Sequence, residues 1–293
     1  SWGFDKIIEH DPAVKGPNPH DMCASKEESW VWQKKIIDFI LRYDFDGYHL
    51  EASDLGRCTC EACMKKWPVQ ATYYNEITGR CADYIRQQAP GKYIAAITIS
   101  WAEWNTGFTE EDKTNLVALS QKVDSILDQG HHGQYIKQTE RKAFIERLHC
   151  KFGTSAGFWV YPPFCCHRQR WFLPYTQKTG AHIKQLYADG GRTTLYYQGP
   201  VTNPGVEVNI AFGGKIMANV ERNVNDVLAE VLEELYQPKT AAAQKKLVET
   251  FLLAEDAYFN NQNYDTDGIH LKDLPGYPGP GELHIGFGIG LAG

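Results

Sequence analysis

The chain has 293 residues, 43% of them hydrophobic, which is enough for one large domain or two modest ones and argues against disorder. Its formal net charge of -6 argues against a general nucleic-acid binder, because such proteins need a concentrated basic surface to displace counterions. No run of about 18 apolar residues occurs, so we expect no transmembrane helix. Aromatic residues reach 13%, with 8 Trp and 16 Tyr, and these side chains suit stacking on sugar rings as well as core packing.

Five apolar, β-branched segments alternate with helical patterns along the chain. Their spacing is typical of a strand followed by its crossover helix. The predicted strands cover residues 46–51, 93–100, 123–128, 157–161 and 193–198.

The segments between these strands have the spacing of amphipathic helices. Ser25 and Glu28 form the S-x-x-E signature of a capping box, which predicts a helix from there to about residue 43. Thr109 with Asp112 predicts the start of another helix. The remaining predicted helices cover residues 72–88, 139–149, 174–188, 206–236 and 240–260.

This alternation indicates an α/β fold with a mainly parallel sheet. No strand is followed by a Gly-rich phosphate loop, and the strand ends carry acids and aromatics, which favours a parallel β/α barrel of the TIM type over a doubly wound sheet. We expect the small and polar side chains of Ala96, Thr98 and Ser100 to share the narrow inner face of that barrel.

A complete barrel needs eight strand-helix units, and the chain supplies five. We therefore expect it to be the C-terminal part of a barrel, completed by an N-terminal segment upstream or by a partner. Three regions follow from the pattern. Residues 1–200 form the barrel portion, residues 201–262 form a helical extension that includes the last barrel helix, and residues 263–293 form a tail rich in Gly and Pro.

The first predicted strand carries polar side chains where a structural strand would be apolar. Side chains alternate along a strand, so His49 and Glu51 share one face, and Asp54 follows just past the strand. At the carboxyl end of a barrel strand, this pattern is typical of an active site. A buried His-Glu pair that fixes strand register is the alternative, and Asp54 could equally cap the following turn.

The second strand ends in a carboxylate between two tryptophans, Trp101 and Trp104. Apolar neighbours raise a carboxyl pKa, so Glu103 would stay protonated as a glycosidase proton donor needs to be. We expect a catalytic pair drawn from Glu51, Asp54 and Glu103, because glycoside cleavage uses two carboxyl groups across the scissile bond. Further candidates for contact with substrate are His49, Trp101, Trp104, Asp128, His131, Trp159, Tyr161 and Tyr197.

The second strong signal is a group of cysteines. Cys58, Cys60 and Cys63 can surround one ion, with Cys23 as the fourth ligand, and four thiolates in a tetrahedron usually hold a structural zinc. One or two disulfides are the alternative. The adjacent pair Cys165 and Cys166 is interpreted as buried thiols or as partners of distant cysteines.

The residues from Met22-Cys23 through the first long helix to the segment D-G-x-x-L-x-x-x-D-x-x-x-C-x-C-x-x-C, residues 46–63, resemble an uncharacterised barrel family of bacterial polysaccharide-degrading proteins. That family is related in fold to family 20 hexosaminidases and family 67 alpha-glucuronidases. The resemblance implies a glycosidase-like barrel whose N-terminal strands, and often a small α/β domain, lie before Ser1. We also expect a periplasmic or secreted location. It assigns no catalytic residue, because the adjacent Asp-Glu pair of the hexosaminidases is absent here.

We therefore expect a glycoside hydrolase that acts on a poly- or oligosaccharide through carboxylate acid-base chemistry, with no catalytic cofactor. A non-catalytic carbohydrate-binding barrel would keep the aromatics and use the carboxylates structurally. A metalloenzyme that uses histidines is a third reading, although their spacing matches no standard ligand motif.

Overall fold

The structure is a computed structural model that describes residues 4–17, 20–51, 57–97, 109–128, 138–155, 174, 176–195 and 204–259. Its strands are β1 Gly47–Leu50, β2 Tyr93–Ile97, β3 Ser125–Asp128, β4 Lys151–Ser155 and β5 Thr193–Leu195. Its helices are α1 Asp5–His10, α2 Glu27–Ile40, α3 Glu61–Lys66, α4 Gln70–Gln88, α5 Glu110–Leu119, α6 Gln138–Ile145, α7 Thr176–Ala188, α8 Pro204–Ala218, α9 Val224–Tyr236 and α10 Ala241–Phe259.

The five strands form one sheet in the order β1-β2-β3-β4-β5, which confirms the prediction of an α/β fold with a parallel sheet. Each strand thus lies beside the next one in the chain, as expected when every crossover is a single helical connection. The start of β3 is fixed by Asp124. Its backbone N–H donates to the carbonyl of Ile94, and its carboxylate accepts from the Ile94 N–H at 2.7 Å.

The register of β1 and β2 corrects one expectation about the inner face. His49 lies beside Ala95, and Ala95 lies beside Ser125, so these three side chains share a face. Ala96 lies on the opposite face. His49 and Ala96 therefore cannot both point into a barrel interior, although the sequence pattern favoured that for each. The sequence pattern shows which residues of one strand share a face. Only the register between β1 and β2 shows which residues of the two strands share a face.

The fourth predicted strand stays a prediction, and the structure has a strand just before it that was not predicted. The structure has β4 at Lys151–Ser155, and the predicted range, residues 157–161, lies outside the described residues. The aromatic and Val side chains of that range resembled a strand more closely than the mixed sequence KFGTS. β5 begins at the residue where a strand was predicted.

Most predicted helices are confirmed to within a few residues, including the capping box at α5. There the Thr109 side chain accepts from the Asp112 N–H, and the Asp112 carboxylate accepts from the Thr109 N–H. The short helices α1 and α3 were not predicted, because six residues give too little periodicity to recognise. None of the helices that the structure describes is long and apolar enough to span a membrane.

Two helix predictions were wrong in detail. The helix predicted from Ser25 begins at Glu27, and its N-cap Lys26 makes no side-chain capping bond. The helix predicted over residues 206–236 is two helices, α8 and α9. The break is caused by Asn223, whose side chain accepts from the backbone N–H groups of Asn225 and Asp226 and so starts a new helix.

The chain divides into two compact units. The first comprises residues 1–129 and 135–153, and the second comprises residues 130–134 and 154–293. The core of the second unit is formed by α7, α8, α9 and α10, and its buried side chains include Ile183, Phe212, Leu228 and Phe251. The predicted boundaries at residues 200 and 262 stay a prediction, and the predicted tail lies outside the described residues.

A buried carboxylate caps α7 in the second unit. Glu255 on α10 is 3% exposed and accepts three hydrogen bonds, from the Thr176 hydroxyl and from the backbone N–H groups of Gln177 and Lys178. These N–H groups belong to the first turn of α7, where a helix leaves its donors without partners. Burial nevertheless raises the pKa of Glu255, because it outweighs these hydrogen bonds. One side chain thus joins two helices that lie far apart in sequence.

We expect Glu255→Ala to lower the free energy of unfolding by about 1 to 3 kcal/mol, because it leaves buried donors without an acceptor. Glu255→Gln keeps one acceptor oxygen and should cost less. Urea unfolding measures both. The matched control is Glu249→Gln on the same helix, whose exposed pair with Lys245 spans 3.8 Å, and we expect a change within about 0.5 kcal/mol. A Glu255→Ala variant as stable as this control would contradict the cap.

Candidate functional site

Four cysteines from two separate parts of the chain come together in the first unit. The sulfur atoms of Cys23, Cys58, Cys60 and Cys63 all lie within 4.8 Å of one another, which confirms the predicted grouping. Cys23 Sγ is 3.5 Å from Cys60 Sγ and 3.7 Å from Cys63 Sγ. Among the residues that the structure describes, this is the cluster whose side chains could hold a metal ion.

The donor set fits a soft metal cation. Four sulfurs at about 2.3 Å from a central ion form a tetrahedron whose edges are about 3.8 Å, close to the distances from Cys23 to Cys60 and Cys63. A disulfide needs about 2.05 Å, and the six cysteines that the structure describes are all free. Cys165 and Cys166 lie outside the described residues.

A short turn near the N-terminus positions Cys23. Lys15 and Met22 form an antiparallel bridge, and the Cys23 N–H donates to the carbonyl of Val14 at 2.7 Å. The Lys26 ammonium group donates to the carbonyl oxygens of Ala13 and Lys15, and this contact ties the start of α2 to the turn. Backbone and side-chain hydrogen bonds on both sides therefore hold Cys23 in place.

The other thiols lie in α3 and in the residues just before it. Cys60 is the N-cap of α3, and its sulfur accepts from the Cys63 N–H at 3.4 Å. Trp67, 1% exposed, packs against the cluster. The guanidinium of Arg57 donates to the carbonyl oxygens of Trp67 and Pro68, so this side chain folds the loop back on itself.

The thiols differ in how readily they ionise. The Cys63 N–H beside Cys60 lowers the pKa of that thiol to about 6. Burial raises the pKa of Cys58. It also raises the pKa of Cys63, where hydrogen bonds from the side chain and the backbone of Ser25 oppose it. Metal binding needs all the thiols deprotonated, so a cation would have to displace protons that burial retains.

Helix α4 connects the cluster to the carboxyl end of β2. Its Tyr73 and Ile77 pack against the cluster. Between them, the Tyr74 hydroxyl donates to the carbonyl of Ile97, the last residue of β2, at 2.7 Å. This is the edge of a parallel sheet where functional side chains collect.

His49 and Glu51 lie at the same edge. Both are exposed, and alternation puts them on one face of the extended segment. Although the His49 ring reaches solvent, the protein packed around it lowers its pKa, so the imidazole is neutral at neutral pH. The charge of Glu51 is near enough to Tyr74 to add to the large rise that burial causes in the Tyr74 pKa.

Asp128 is placed differently from His49. It ends β3 and is fully buried. Alternation puts its side chain on the face of Ile126, whereas Ser125 shares the face of His49. The structure therefore does not bring Asp128 to the face that carries His49 and Glu51.

The remaining candidates lie outside the described residues. They are Asp54, Trp101, Glu103, Trp104, His131, Trp159, Tyr161 and Tyr197. Their proposed roles stay predictions.

Two residues at the cluster were not anticipated. Ser25 places its hydroxyl 3.0 Å from Cys23 Sγ, whereas the sequence pattern assigned it to a helix cap. Its position two residues after a candidate ligand was the available signal. Gly16 lies so close to Cys58 that a Cβ there would be 2.8 Å from the sulfur, and nothing in the sequence indicated this contact.

No model of a known protein family matches the chain, and no curated protein matches it. The resemblance to the glycosidase-like barrel family therefore stays a prediction.

We expect Gly16→Ala to displace the Cys58 sulfur, because Cys58 is fully buried and the added methyl group has no free space. Overpacking of this kind should lower the free energy of unfolding by about 1 to 3 kcal/mol and weaken binding of Zn²⁺. Urea unfolding and a zinc titration measure the two effects. The control is Gly214→Ala in α8, where a Cβ meets nothing within 4 Å and should stabilise the helix by about 0.5 to 1 kcal/mol. An unchanged Gly16→Ala protein would show that the sulfur positions are not constrained.

Proposed function

We propose that the chain is part of a TIM-type β/α barrel that works as a glycoside hydrolase and that its four clustered cysteines hold a structural zinc ion. The observation that carries the proposal is the position of His49 and Glu51. They share one face at the carboxyl end of β1, and the cysteine cluster packs against α4, whose Tyr74 hydroxyl donates to the last residue of the neighbouring strand β2.

The chemistry needs two carboxyl groups, one to protonate the leaving oxygen and one to attack the anomeric carbon or activate water. Glu51 is exposed at a strand end, so it can meet a substrate. Its partner would come from Asp54 or Glu103. The lowered pKa of His49 leaves a neutral ring, which can both donate to and accept from sugar hydroxyls.

Cys23, Cys58, Cys60 and Cys63 would hold the zinc ion. Four thiolates leave it no open coordination position, so the ion supplies cross-linking rather than catalysis. Cys58 follows Glu51 by seven residues in the sequence. A closed site here therefore limits where the connection after β1 can go, and with it the surroundings of Glu51.

The purified chain should contain one equivalent of zinc, and Cys23→Ser should abolish it, because a hydroxyl is a poor substitute for a soft thiolate ligand. Elemental analysis gives the stoichiometry. Removal of the ion by a chelator should lower the unfolding temperature, and retention should fall as pH decreases, because the thiolates become protonated. The control is Cys81→Ser, a thiol outside the cluster, which should keep the ion. Zinc retained in full by Cys23→Ser would refute the assignment.

Glu51→Gln should remove turnover of oligosaccharide substrates while binding persists, because the amide keeps the shape but neither donates a proton nor attacks. The assay is product release from a panel of neutral and uronate-containing oligosaccharides, with binding measured by calorimetry. Glu146→Gln, at an exposed position after α6, is the matched control and should leave turnover unchanged. Binding without turnover in the unaltered chain would favour the carbohydrate-binding barrel, and turnover unaffected by Glu51→Gln would exclude Glu51 as a catalytic group.

A further inference from the structure

The hydroxyl of Ser25 is directed at the cysteine cluster. Its oxygen is 3.0 Å from Cys23 Sγ and 3.9 Å from Cys60 Sγ. The shorter of these is well inside hydrogen-bonding range for sulfur. A serine hydroxyl has one proton to donate, and a thiolate is an acceptor without a proton of its own. The direction of this bond is therefore fixed once Cys23 is ionised.

The same hydroxyl had a competing use that the structure does not realise. Ser25 and Glu28 have the spacing of a capping box, yet α2 begins at Glu27 with Lys26 as an N-cap that makes no side-chain bond. A serine cap contributes about 1 kcal/mol to a helix. Places where a strong local signal is overridden are often functional. Here the helix loses a cap, and the sulfur gains a donor.

The surroundings of the cluster show why such a donor matters. Four thiolates around a divalent cation carry a net charge of -2, and Trp67 and Tyr73 pack an apolar surface against them. Hydrogen bonds to the sulfurs spread this charge. The Cys63 N–H donates such a hydrogen bond to the Cys60 sulfur.

We propose that Ser25 is a positioning residue of the metal site, whose hydroxyl donates to the Cys23 thiolate and thereby increases the affinity of the four cysteines for a divalent cation. This inference rests on the zinc site proposed above. The Cys63 N–H would survive any substitution at position 25 that preserves the fold, whereas the Ser25 hydroxyl is a donor to the sulfurs that mutation can remove.

The experiment compares the full chain with Ser25→Ala, after metal removal and titration with Zn²⁺ in competition with a chromophoric chelator. We expect about tenfold weaker binding, the lower end of the range seen when a ligand loses its hydrogen-bond partner. Titration with Co²⁺ adds a spectroscopic readout, because the sulfur-to-cobalt charge-transfer band shifts when a thiolate loses a donor. The matched control is Ser29→Ala, a buried serine of α2 whose hydroxyl has no hydrogen-bond partner in the described part of the chain.

A second pair of variants separates the hydroxyl from packing effects. Thr and Val have nearly the same shape, so Ser25→Thr should bind more tightly than Ser25→Val by about the same tenfold factor, even if both lower stability. Equal affinities and identical cobalt bands within this pair would overturn the role of Ser25 while leaving the zinc site intact. An unaltered chain that binds neither ion would overturn the zinc site itself and this role with it.

Discussion

The convergence of four sulfur atoms is the constraint on which the first unit depends. Cys23 and Cys60 are 37 residues apart in sequence, and their sulfurs lie 3.5 Å apart. Closing a loop of this length costs entropy, and burial of Cys58 and Cys63 favours their protonated forms. A cation bound by all four thiolates would offset both costs, because binding energy at such a site is also folding energy. With such a cation bound, the positions of Cys23 and of residues 58–63 would be determined by a metal site as much as by apolar packing.

This constraint also explains why local rules fail near the cluster. Cys60 is not a favoured N-cap, yet it caps α3, because its sulfur must accept the Cys63 N–H to lie beside Cys23. The Ser25 hydroxyl contacts the Cys23 sulfur instead of capping α2. Gly16 has no side chain where one would strike Cys58. At each of these positions, a residue that would stabilise a helix end or restrict the unfolded chain is absent or used differently, and a sulfur atom is accommodated instead.

The sequence predicted the parts of the fold that depend on local periodicity, and it failed where distant residues decide. α4 and the start of β2 were recognisable from spacing, and Cys23 with the C-x-C-x-x-C group was recognisable as a set of candidate ligands, which the structure brings together. The face on which Ala96 lies could not be predicted, since it depends on the register with His49. The break before α9 depends on one Asn side chain. The Glu255 cap joins residues almost eighty positions apart.

The register also reduces the number of carboxylates that could act together with Glu51. Asp128 lies on the opposite face from the row that contains His49 and Ser125, and it is fully buried, so it is a poor partner for the exposed Glu51. Two carboxyl groups that act on one glycosidic bond must face the same space and lie within about 10 Å of each other. Asp54 and Glu103 follow β1 and β2 in the sequence, and they stay the predicted partners of Glu51.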